Sequence, residues 1–117
     1  MVSQEEIEKK LQYVEAMFEK YGAKPLEINE KNREEFDERR AFLYEGNYYR
    51  TGTLEFEEHD EPFIVISCID SEKFAGIGLM EDVDAFAPTL TEPEIEKQVR
   101  YALGIEPYPE EYELEEK

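Results

Sequence analysis

The chain has 117 residues, enough for one domain that buries roughly two-thirds of its surface without metal or disulfide staples. Its 31 acids against 13 Lys plus Arg leave a formal charge of −18, which excludes a nucleic-acid or anionic-membrane binder held by basic surface. A single cysteine excludes a disulfide-stapled scaffold, and no apolar run is long enough to span a membrane.

The first residues, Met-Val-Ser-Gln-Glu-Glu, are the reverse of a basic signal-peptide start, so the expected location is the cytoplasm. The acids are mostly Glu, 26 against 5 Asp. Glu favours helices, so much of this charge is expected on helix faces and strand edges as solubilising surface. A sharper alternative is imitation of the DNA backbone, which needs carboxylates spaced along one elongated face.

In chain order, Ser3 and Glu6 form a capping box that starts a helix over 4–21, with Val2 and Ile7 as its hydrophobic staple. Ile7, Leu11, Val14, Phe18 and Tyr21 recur at spacings of four and three and draw one apolar stripe, broadened by Met17. Glu5 with Lys9 and Glu6 with Lys10 stand four apart in the favoured orientation. Gly22 suits a left-handed stop, and Pro25 prevents continuation. Leu26 and Ile28 alternate with polar neighbours as a short edge strand would. Residues 29–40 are almost wholly charged, with Phe36 the one large apolar side chain, and read as loop or frayed turn.

From about residue 39 the apolar period changes from helical to two. Gly46-Asn47 suits a two-residue hairpin turn, which would set Tyr44 opposite Tyr49 and Phe42 opposite Thr51. Leu43, Tyr48, Arg50, Leu54 and Phe56 would then share the other face. Acidic residues 57–62 form the next turn. Phe63 to Ile69 is a continuous, β-branched run of the kind a strand covered on both faces shows, so it belongs centrally in the sheet. Lys73–Met80 reads as a further strand and Val83–Ala87 as a short fifth.

Thr91, Pro93 and Glu94 open a second helix, with Leu90 and Ile95 as its staple. Its buried stripe is Ile95, Val99, Ala102 and Leu103, and Gly104 closes it. Residues 106–117 hold six Glu and two Pro and read as an acidic tail, ordered only where Tyr108, Tyr112 or Leu114 finds something to pack on. The expected architecture is α+β: an antiparallel sheet of four to five strands over roughly 39–87, flanked by an N-terminal and a C-terminal helix. A single domain would span 1–105, with the tail at 106–117.

Chemistry-bearing residues are few. His59 is the one histidine, among Glu57, Glu58, Asp60 and Glu61, but consecutive side chains point apart and no loop glycine gathers them, so a charged turn is expected. A Ser-His-Asp triad could be built only around His59, and neither Ser67 nor Ser71 lies in a nucleophile elbow. Cys68 lies in an apolar strand beside Asp70, surroundings that oppose a thiolate. Gly76 and Gly78 lack the third glycine and the helix of a dinucleotide fingerprint. Glu81, Asp82 and Asp84 would set two carboxylates on one side of an extended segment, as a divalent cation or a glycoside would need, but no partner group stands near. No catalytic residue, metal site or cofactor is therefore expected.

The aromatic hairpin is the most suggestive feature. Either helices cover both its faces, or one face, carrying Phe42, Tyr44 and Tyr49, is left to bind a protein partner or a second copy as a homodimer. The reading this supports is a small, acidic, non-enzymatic protein-interaction or regulatory module. The alternative is a DNA mimic that inhibits a basic nucleic-acid-binding protein.

Overall fold

A computed structural model of the chain describes residues 2–27, 30, 33, 39, 41–55, 57–58, 61–70 and 81–107. Its elements are α1 (Gln4–Lys20), β1 (Lys24–Pro25), β2 (Phe42–Tyr44), β3 (Asn47–Leu54), β4 (Phe63–Asp70), β5 (Glu81–Phe86) and α2 (Glu92–Leu103). The five strands pair in chain order, each antiparallel to the next. The fold is α+β, as the switch in hydrophobic period implies. Among the described residues no helix is long and apolar enough to cross a membrane.

Both helices begin and end where side-chain chemistry dictates. Ser3 caps α1, its hydroxyl accepting from the Glu6 N–H at 3.2 Å. Gly22, at φ 101°, lets the chain turn away after Tyr21. At α2, Glu94 accepts from both the N–H and the hydroxyl of Thr91, at 3.0 and 2.8 Å, and that bonding holds its carboxyl below the usual range. Gly104 is left-handed at φ 79°, and the Ile105 N–H returns to the Arg100 carbonyl at 3.0 Å. Ile7, Leu11, Val14 and Phe18 face inward from α1, and Ile95, Val99 and Leu103 from α2. Tyr101 is also buried in α2, a position the predicted stripe omitted in favour of Ala102.

Lys10 departs from the expected pairing with Glu6. Its ammonium donates to the carbonyls of Pro88 and Leu90, at 2.6 and 2.7 Å, and so ties α1 to the chain entering α2. Further along, Glu96 of α2 accepts from Lys20 at 2.7 Å and from the Tyr21 hydroxyl at 2.5 Å. Two free carbonyls offered a better site for a three-donor ammonium than an exposed carboxylate one turn away.

The sheet corrects three details. The edge strand is β1, at Lys24–Pro25 rather than around Leu26 and Ile28; the Leu26 N–H continues the ladder to the Ala41 carbonyl at 2.8 Å. The hairpin turns at Glu45-Gly46, with φ 49° and 83°, rather than at Gly46-Asn47. Two positive φ values match the right-handed twist of the flanking strands, and Glu45 accepts that conformation so that Asn47 can join the ladder opposite Tyr44. Phe42 thereby pairs with Tyr49, not Thr51. The slip is two residues, so the described side chains keep their predicted faces. Lastly, β5 begins at Glu81, two residues before the expected start. The strand expected at 73–80 lies outside the described residues, as do Ile28, Phe36, Phe56, His59 and the tail from 108.

Candidate functional site

Alternation divides the sheet into two faces. Phe42, Tyr49, Ile64, Ile66 and Phe86 join the helix stripes in one core cluster, each 6% exposed or less. Phe18 of α1 is fully buried there, its ring 5.5 Å from Phe42 and 6.2 Å from Tyr49. Each such side chain contributes roughly 1.5–3 kcal/mol on burial. Both helices lie on this one face. The predicted binding residues Phe42, Tyr44 and Tyr49 are therefore brought together, with Tyr44 edge-on to Tyr49 at 6.4 Å, but under α1 rather than on an open surface. The correction has a simple cause: the α1 stripe needed an aromatic partner, and Phe42 and Tyr49 met Phe18.

The opposite face carries Leu43, Tyr48, Arg50, Gly52, Leu54, Phe63 and Val65 by register. Leu43 is 37% exposed, Leu54 39%, and Val83, at the β5 bulge, 41%. Tyr48 and Phe63 are half-buried. Exposed carboxylates stand at both ends of β3: Glu45 in the hairpin turn, then Glu55, Glu57 and Glu58 beyond Leu54. Leu43 and Leu54 thus stand toward the two ends of the face, each near carboxylates, with Arg50 and Gly52 between them.

Among the described residues the other candidates do not converge. Cys68 is half-buried on the covered face, opposite Tyr49. Burial, and then the neighbouring Cys68, push the Tyr49 hydroxyl up to about 12. Asp84 pairs with Ile66, whereas Asp82 pairs with Ser67 across a register shift. The β4–β5 register therefore shifts between these two pairs, as at a β-bulge. Asp84 Oδ1 accepts from the Ala85 N–H at 2.9 Å, while Oδ2 is buried with no partner among the described residues. Burial raises this carboxyl to about 6. Among the described residues no three His, Cys, Asp or Glu side chains gather as a metal site would require.

Sequence reasoning missed a second feature, at the side of β3. Strand β3 runs eight residues, but β2 pairs only with Asn47, Tyr48 and Tyr49. Before Phe42 the chain leaves the ladder, and Arg39 is tied to α1, donating to Glu15 at 2.7 Å and to Glu8. A cavity of about 760 Å³ separates Glu8, Leu11 and Arg39 from the ledge Arg50–Leu54. The signal for it was the mismatch in length between Ala41–Tyr44 and the run that follows the turn. No family model, curated protein or solved structure matches this chain.

Proposed function

We propose that the chain is a non-enzymatic protein-interaction module that docks a cationic partner across the outer face of its sheet. One observation carries this reading: both helices cover the same face, leaving Leu43, Leu54 and Val83 exposed between carboxylates at the two ends of β3. Three large apolar side chains left more than a third exposed on a sheet that the helices cover from one side support an interaction surface. Charge then selects the occupant. Two copies at −18 each repel, which disfavours the homodimer, whereas a basic partner is steered inward by the same field. A segment with an apolar centre and Lys or Arg at its ends fits the arrangement. Inhibition by imitating DNA ranks second, because extents of 37 × 32 × 27 Å offer no elongated face for a row of carboxylates.

The test uses two synthetic probes, octalysine and a peptide with a Val-Thr-Val-Thr-Val centre and two Lys at each end, titrated by calorimetry. At low salt both are attracted. At about 0.15 M salt, where the Debye length is ~8 Å, the apolar-centred peptide is expected to retain binding that octalysine loses. Replacing Leu43 and Leu54 together by Thr removes that advantage. Equal binding of the two probes, or none at low salt, overturns the reading.

A further inference from the structure

Alternation places Arg50, Gly52 and Leu54 on the outer face of β3, with Ser67 opposite Arg50 and Val65 opposite Gly52 on β4. The middle position has no side chain. A Cβ on Gly52 would meet no atom within 4 Å, so the sheet has a hollow there rather than a packed neighbour. The cavity of about 760 Å³ beside β3 extends over this hollow, since Arg50, Gly52, Leu54, Val65 and Ser67 all line it. A missing side chain and a cavity thus coincide at one place. Four residues separate Arg50 from Leu54, ~13 Å along the strand. That span and that volume suit a small organic molecule.

The lining is polar at one end and apolar at the other. Arg50 and Ser67 stand side by side across β3 and β4, and on the far side of Gly52 stand Leu54 and Val65. Cations are scarce in this chain, 13 Lys plus Arg against 31 acids, yet Arg39 and Arg50 both line the cavity. Glu8 is the one acid among the lining residues. Glu8 and Glu15 both accept from Arg39, so that guanidinium holds the chain before β2 against α1. Arg50 then sets the sign of an occupant. Its planar fork of five donors can take a carboxylate alongside a second partner, and the Ser67 hydroxyl can add a further bond.

We infer that the hollow over Gly52 binds a small organic carboxylate, its anionic end on Arg50 and Ser67 and its apolar body against Leu54 and Val65. This does not rest on the docking of a cationic partner. The net charge of the chain repels anions at long range, so a bare carboxylate gains little and the apolar contact supplies the remainder.

Phenylbutanoate is the probe, titrated into the full chain and followed by amide NMR shifts. A ligand of this size is expected to bind at about millimolar, with saturating shifts at Gly52 and Ser67. Acetate, which lacks the apolar body, and phenylbutylammonium, which reverses the charge, are each expected to bind about tenfold more weakly or worse. Arg50→Met keeps an unbranched stem, removes the charge and weakens phenylbutanoate by about tenfold. Gly52→Leu fills the hollow and abolishes binding; the φ of Gly52 is not in the left-handed region, so a side chain is accepted there without strain. Should Gly52→Leu fail to fold, Arg50→Met and the ammonium probe decide. Leu43→Thr, outside the cavity lining, leaves phenylbutanoate binding unchanged while it lowers that of the Val-Thr-centred peptide, so the two readings fail separately. Equal binding of carboxylate and ammonium, or binding that survives Arg50→Met undiminished, overturns the inference. So do shifts that saturate away from Gly52 and Ser67, or no saturable shift at all.

Discussion

The two faces of the sheet are built from alternate residues of the same strands, yet they end in opposite environments. On one, Phe42, Tyr49, Ile64, Ile66 and Phe86 are 6% exposed or less; on the other, Leu43, Leu54 and Val83 are 37–41% exposed. The strands are apolar at both parities, so their own composition does not choose between the faces. The helices choose. Each has a single apolar stripe, and Lys10 binding the Pro88 and Leu90 carbonyls, with Glu96 meeting Lys20 and Tyr21, fixes α2 beside α1 on the same side. A helix pair that is bonded to itself covers one face; on the other, Val65 is 6% exposed while Leu43 and Leu54 keep more than a third of their exposure.

The largest expected effect tests the covered face. Phe18 is fully buried against the Phe42 and Tyr49 rings, so Phe18→Ala leaves a cavity that neither ring can fill without leaving its rotamer. A loss of about 3–5 kcal/mol is expected, read from the urea midpoint. A loss below ~1 kcal/mol would mean that α1 does not sit on these rings, and the distinction between the faces would collapse.

Asp84 sharpens the same comparison, because it is a carboxyl on the covered side. Its folded value of about 6 lies above its ordinary 3.8, a consequence of burial. Above pH 6 it is ionised in both states, and burying the charge costs stability. As the pH falls through 6 the folded state binds the proton first, and the stability so regained is complete below about 3.8. Asp84→Asn is therefore expected to stabilise the chain at pH 7 by about 1–2 kcal/mol, discounted for the group's partial exposure, with the gain shrinking between pH 6 and pH 4. A gain that does not change over that range would assign the effect to packing rather than charge.

Local signals in the sequence located what local physics controls. Ser3, Thr91, Gly22 and Gly104 each bounded a helix, because caps and left-handed stops act within one turn. Strand parity survived a misplaced turn, since a slip of two residues preserves faces. Three things were not legible. Which face the helices would cover depends on contacts between residues as distant as Lys10 and Pro88. The register shift between β4 and β5 is a property of the pair, not of either strand. The cavity beside β3 lies where unequal strand lengths leave β2 behind, β3 running Asn47–Leu54 while β2 pairs only as far as Tyr49.

The smallest expected effect on stability is on the open face. Leu43 and Leu54 each retain more than a third of their exposure, so truncation to Thr removes little buried area, and a β-branched side chain suits a pleated surface. Leu43→Thr and Leu54→Thr are each expected to change stability by no more than ~0.5 kcal/mol, measured by urea unfolding at low protein concentration. The same changes are expected to lower affinity for the Val-Thr-centred peptide, so that binding and stability separate on this face and coincide on the other. A stability loss near that of Phe18→Ala would mean the face is covered in solution. If that loss grew with protein concentration, a second copy would be the cover, and the charge argument against self-association would fail with it.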